Sequence, residues 1–179
     1  MTNAELAILS LIAESPRNGY EIEQTIEARG MRDWTEIGFS SIYYLLNKLE
    51  KASLIESKLQ RSEGRGPARK VYNITEQGKM KHLEGATNAL REPHQASVPF
   101  LLGLSNLPAI PHNQILISLN KNVSQLEKRL EHLSQRVDEQ SPLPPFVEAM
   151  FEYSRTMVEA ELSWMKAFIR KVEAGNVKN

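Results

Sequence analysis

Apolar positions in this chain recur mostly at intervals of three and four residues and alternate only around residues 54–75, a pattern that predicts helices with one small β element. The first helix is expected over the apolar run Ala4 to Ala13, opened by the capping box Thr2-x-x-Glu5. Asn18-x-x-Glu21 is a second capping box and predicts a helix from Gly19 to Arg29 that stops at Gly30. Ser40 is a good N-cap for a third helix over Ser41 to Lys51, with Ile42, Leu45, Leu46 and Leu49 as its buried stripe. The opposite face then holds Ser40, Tyr44, Asn47 and Lys51, with Ser41 and Lys48 along one edge and Tyr43 along the other.

Two strands are expected at Leu54–Arg61 and Arg69–Thr75, joined by a Gly64-Arg-Gly-Pro67 turn into a basic hairpin, or wing. Thr75 caps a fourth helix that reaches Arg91, and Pro93 and Pro99 mark a boundary, dividing the chain into residues 1–92 and 93–179. A short apolar piece, Phe100 to Leu107, precedes a long helix to Gln140. In that helix Leu116, Leu119, Val123, Leu126, Leu130, Leu133 and Val137 follow a heptad seam that must press on another helix. Ser141-Pro-Leu-Pro-Pro145 breaks the chain before a last helix, Phe146 to Glu173, with a broad apolar surface that includes Phe151, Trp164 and Phe168. The fold class this implies is mainly α with a small β-hairpin wing.

Composition removes several function classes. There is no cysteine, so disulfides, thiolate nucleophiles and cysteine-based zinc sites are excluded. The four histidines lack ligand spacing, and no nucleophile motif, phosphate loop or paired carboxylates occur, so no metal, no cofactor and no enzyme activity are expected. The first apolar run has no cationic leader and no stretch is long enough to span a membrane, so a cytoplasmic protein with no membrane partner is expected. Net charge is zero, but it is divided along the chain. In residues 1–38 three cations face seven anions, whereas in residues 39–81 nine cations face four. The basic excess falls on the third helix and the wing, where shape already suits a DNA groove.

Tyr44 lies nearly opposite the buried stripe, where a merely solvated face would favour Glu or Gln, and this tips the third helix toward DNA contact. Ser40, Ser41 and Lys48 are the expected phosphate contacts, Tyr44 and Asn47 the base-edge readers, with Tyr43 and Lys51 beside them. On the wing, Arg65 between two glycines is expected in the minor groove, with Arg69 and Lys70 at phosphates. Apolar surplus on the two long helices predicts a homodimer, assigned to Leu116, Leu119, Val123, Leu126, Leu130, Leu133, Trp164 and Phe168. Trp34, Phe151 and Trp164 are the candidate lining for a small aromatic effector, although core and interface roles are favoured for such a stripe.

The motifs Asn18-Gly-Tyr-Glu-Ile22, Ser40-Ser-Ile-Tyr-Tyr-Leu-Leu-Asn-Lys-Leu-Glu-Lys51, Leu54-Ile-Glu-Ser57, Gly66-Pro-Ala-Arg-Lys-Val-Tyr72 and Ile74-Thr-Glu-Gln-Gly78 together resemble the PadR family of bacterial transcriptional regulators, in particular its longer-tailed members. Beyond residue 92 the likeness rests on helical layout and on Leu162-Ser-Trp164. The resemblance implies a dimeric repressor with an N-terminal winged helix-turn-helix, a C-terminal helical dimerisation arm, a palindromic double-stranded DNA operator and, in some members, release by a small aromatic or drug-like molecule. Two rival readings are a winged-helix module that holds another protein and a small-molecule sensor with weak DNA binding. One departure from the family pattern falls at Ala52-Ser53, where members usually place Gly; a left-handed Ser53 would cost roughly 1 kcal/mol relative to Gly.

Overall fold

The computed structural model describes residues 1–35, 37–38, 41–60, 68–92 and 98–175, which divide into two compact units, Met1–His94 and Gln95–Asn179. The first unit contains helices α1 (Asn3–Glu14), α2 (Gly19–Ala28), α3 (Ser41–Lys51) and α4 (Glu76–Arg91), and strands β1 (Arg17–Asn18), β2 (Ile55–Gln60) and β3 (Arg69–Ile74). Both predicted capping boxes are formed: Thr2 and Asn18 accept the N–H groups of Glu5 and Glu21, whose carboxylates accept the cap N–H in return at 2.8 Å each.

α1 is apolar on nearly all sides because other elements surround it. Ile8, Leu9, Leu11 and Ile12 are fully buried, packed with Ile22 and Ile26 of α2 and with Ile42, Leu46 and Leu49 of α3. The sheet has the order β1-β3-β2, with both pairings antiparallel; Ile55 faces Ile74 and Gln60 faces Arg69. The sequence predicts two of these strands. The third, β1, is only two residues long and exists because Arg17 and Asn18 pair with Tyr72 and Val71. A two-residue strand carries no alternation to read.

The turn from α3 into the wing is closed by left-handed backbone. Ser53 has φ 58°, and the N–H groups of Ser53 and Leu54 donate to the carbonyls of Glu50 and Leu49, as in a Schellman end. Ser53→Gly is therefore expected to raise stability by about 1 kcal/mol, read as a higher denaturation midpoint with an unchanged denaturant slope. The Thr75 hydroxyl donates to the Ser53 carbonyl at 2.7 Å, and the adjacent Leu54 carbonyl accepts the Thr75 N–H at 3.1 Å. A Cβ on Gly78 would lie 2.0 Å from that same oxygen, so only glycine lets the first turn of α4 seat there.

The second unit contains α5 (Val98–Ser105), a single 3-10 turn at Leu107–Ala109, and two helices of 29 residues each, α6 (His112–Gln140) and α7 (Pro145–Glu173). The short apolar piece of the sequence is thus a helix, and its Phe100 packs on the α6–α7 core. Ile115 and Leu119 of α6 and Met165, Ile169 and Val172 of α7 are buried together, with Leu116, Val123 and Phe168 half-buried around them. The α6 heptad seam therefore lies along α7 of its own chain, which buries Leu119 and Leu126 without a second molecule.

α7 carries two stripes. Val158, Met165, Ile169 and Val172 face inward. A second heptad set, Phe146, Met150, Tyr153, Met157 and Trp164, is exposed, about 100° around the helix from the first. Among the described residues no helix is long and apolar enough to cross a membrane.

Candidate nucleic-acid interface

α3 is amphipathic, so burying its leucine stripe in the first unit fixes which side remains outside. Tyr44 is 66% exposed and Tyr43 is 58% exposed, while Asn47 and Lys51 are also at the surface. Among the described residues neither Asn47 nor Lys51 makes a side-chain hydrogen bond or ion pair, and the same holds for Arg69 at the start of β3. This free set of one amide, two cations and two phenol rings can meet phosphates and base edges.

Other expected contacts are differently placed. Ser41 is half-buried, and its hydroxyl donates to the Gly38 carbonyl at 2.6 Å, so it serves the start of the helix. Lys48 is paired with Glu5 of α1. Lys70 is paired with Glu50 of α3 at 2.7 Å and stands 5.4 Å from the centroid of the Tyr72 ring. Ser40 and Arg65 lie outside the described residues.

These pairings leave an electrostatic imprint. Burial pushes the Glu5 carboxyl up, but the Lys48 ammonium and the Thr2 N–H more than offset it, leaving the group below its ordinary value. The Lys70 hydrogen bond, followed by that from the Ser57 hydroxyl, holds Glu50 below the usual carboxylate value as well. Tyr72, buried at the root of the wing, is pushed up chiefly by desolvation.

The structure also brings in residues that the sequence reading used only as a helix start. A cleft of about 350 Å³ opens between the N-terminus of α2 and β3, lined by Asn18, Gly19, Tyr20, Tyr43, Arg69, Lys70 and Tyr72. Gly19 makes this possible, since a Cβ there would come within 2.7 Å of the Tyr43 ring. Tyr20 is exposed at the cleft, and its hydroxyl accepts a hydrogen bond from the Gln24 amide at 2.6 Å. The available signal was the tyrosine directly after the Asn18-Gly19 cap, in the same exposed first turn.

Within the second unit, the candidate effector residues Phe151 and Trp164 lie apart. Phe151 borders a cleft of about 340 Å³ with Leu133, Val137 and Leu143 near the α6–α7 turn. Trp164 is roughly 20 Å further along α7, stacked on Phe168 at 4.9 Å and edge-on to Phe100 at 5.7 Å. Trp34 belongs to the first unit and is exposed.

Residues 8–84, spanning α1 to α4, match the family described as Transcriptional regulator PadR-like. The chain carries a PadR-like transcriptional-regulator domain. Its function class is accordingly regulation of transcription. Solved PadR structures extend the likeness in fold. Bacillus subtilis PadR in complex with operator DNA superposes with a TM-score of 0.74 at 18% identity, covering 94% of this chain and 98% of that one. The same protein in complex with p-coumaric acid gives a TM-score of 0.73 at 17% identity, with 94% and 98% covered. A PadR-like regulator from Bacillus cereus gives 0.69 at 17% identity, with 97% and 99% covered. No curated protein matches the chain.

Proposed function

We propose that this chain is a homodimeric repressor that reads a palindromic operator and is released by a small aromatic molecule. The observation that carries the reading is the exposed Tyr44–Asn47–Lys51 face of α3 beside Arg69, in a domain of the PadR-like family. Asn47 suits the N6 and N7 edge of adenine, and the cations suit phosphates. That B. subtilis PadR has been solved in complex with operator DNA supports DNA as the partner.

Pairing of two chains is supported by the outward stripe of α7, since five large side chains along one line of a helix keep between 39% and 70% of their surface exposed in a single chain. The half-exposed Leu130 and Leu133 of the α6 seam flank the same hairpin. Two α3 helices would then meet half-sites about 34–36 Å apart on one face of the duplex. Release by a ligand needs only a change in that spacing, because both half-sites must be engaged together. The rings of Phe100, Trp164 and Phe168 offer a stacking surface for a flat aromatic compound, and the p-coumaric acid complex of B. subtilis PadR supports that class.

Selection of bound fragments from genomic DNA tests the reading. An enriched palindrome, with binding that weakens steeply as salt rises, is the expected result. Absence of enrichment, with little binding at any salt, would replace it by a winged-helix module that holds another protein.

A further inference from the structure

α3 is tied on both flanks of its exposed face by ion pairs of opposite sense. On one flank Lys48 meets Oε1 of Glu5, a carboxylate whose side chain is 8% exposed and whose Oε2 accepts the Thr2 N–H at 2.8 Å. On the other flank Glu50, in the last turn of α3, accepts the Lys70 ammonium of β3 at 2.7 Å and the Ser57 hydroxyl of β2. At about 100° per residue, Lys48 and Glu50 bracket an arc that contains Tyr44, Lys51, Asn47 and Tyr43 in turn. One tie therefore fixes the arc to α1 and the other fixes it to the wing.

We propose that Lys48 and Lys70 are positioning residues, which with Glu5 and Glu50 set the rotation of α3 about its own axis and so the angle at which Tyr44 and Asn47 meet the groove, and that neither lysine serves as a phosphate contact. The proposal rests on the DNA-binding reading above. An exposed ion pair is a weak bond, but this one is asymmetric. Drawing Lys48 onto a phosphate would strand a carboxylate oxygen that has almost no access to water, and that cost opposes the exchange. Lys70 is held by a half-buried Glu50 and by the face of Tyr72, two partners on two elements.

The test uses the full chain, a duplex of the fragment most enriched by genomic selection, and a shuffled duplex of equal length and composition. Lys48→Met is expected to lose about fivefold or more on the enriched duplex, the scale of a pair with one buried carboxylate, with the shuffled duplex and the salt slope unchanged. Glu5→Gln, which keeps the capping box, is expected to lose affinity in the same direction, and Lys48→Arg is expected to restore most of it. If Lys48 instead met a phosphate, Lys48→Met would weaken both duplexes alike and lower the salt slope by about one. Glu5→Gln would then strengthen binding by freeing the cation. Either result overturns the proposal.

A readout without DNA separates the two claims. In the free protein, ¹⁵N-lysine ammonium spectra should show a Lys48 signal that shifts in Glu5→Gln and a Lys70 signal that shifts in Glu50→Gln. Loss of both responses refutes the ties themselves, whatever the protein binds. Intact responses in a protein that binds neither duplex would leave the ties standing and sink the DNA reading, and the positioning role with it.

Discussion

Met157→Asp is expected to convert the proposed dimer into a monomer while leaving the helices formed. Met157 is 39% exposed in the single chain, so an aspartate there costs the folded monomer little. In the proposed pair it sits midway along the outward stripe of α7, between Met150 and Trp164, where a charge would be desolvated against a second apolar stripe. The interface loss should reach about 2 kcal/mol or more. Operator affinity should fall by a further factor on the order of 10²–10⁴ as the two half-sites cease to be linked. Sedimentation equilibrium, circular dichroism and operator binding on one preparation measure all three.

The control lies on the same helix. Met165 is 0% exposed and faces α6, so Met165→Asp should unfold the second unit rather than split a folded pair, and Leu126→Asp, at 7% exposed, should act in the same way. A Met157→Asp protein that remains dimeric at micromolar concentration would remove the outward stripe as the contact between chains.

The second large effect is expected at Tyr44. Tyr44→Ala should weaken operator binding by about 1–3 kcal/mol, roughly five- to 150-fold, with the dimer and the melting temperature unchanged. Stability is spared because the ring contributes little to the core. Arg69→Ala and Lys51→Ala should behave differently: a smaller loss, equal on specific and shuffled duplexes, with the salt slope reduced by about one for each. Equal operator affinity in Tyr44→Ala and the parent protein would show that α3 presents the wrong side to DNA for this assignment.

Local chemistry was legible in the sequence wherever it acts over a few residues. The two capping boxes, the α3 stripe from Ile42 to Leu49 and the α6 seam each depend on neighbours within one or two turns. What the sequence could not display is which distant group a long side chain chooses. Lys48 and Lys70 carry the composition of phosphate contacts, but their partners, Glu5 and Glu50, are far along the chain and reach them only after packing. The same holds for β1, which is defined by β3, and for Tyr20, which becomes part of a cleft only when Tyr43 lies down on Gly19. α7 was readable as broadly apolar, but its resolution into an inward and an outward line required the position of α6.

The carbonyls of Ser53 and Leu54 fasten the base of the wing in three ways, through the Thr75 hydroxyl on Ser53, the Thr75 N–H on Leu54 and the close seat of Gly78 against Leu54. A methyl group at residue 78 would strike the Leu54 oxygen, so Gly78→Ala must displace β2 and α4 together rather than either one alone.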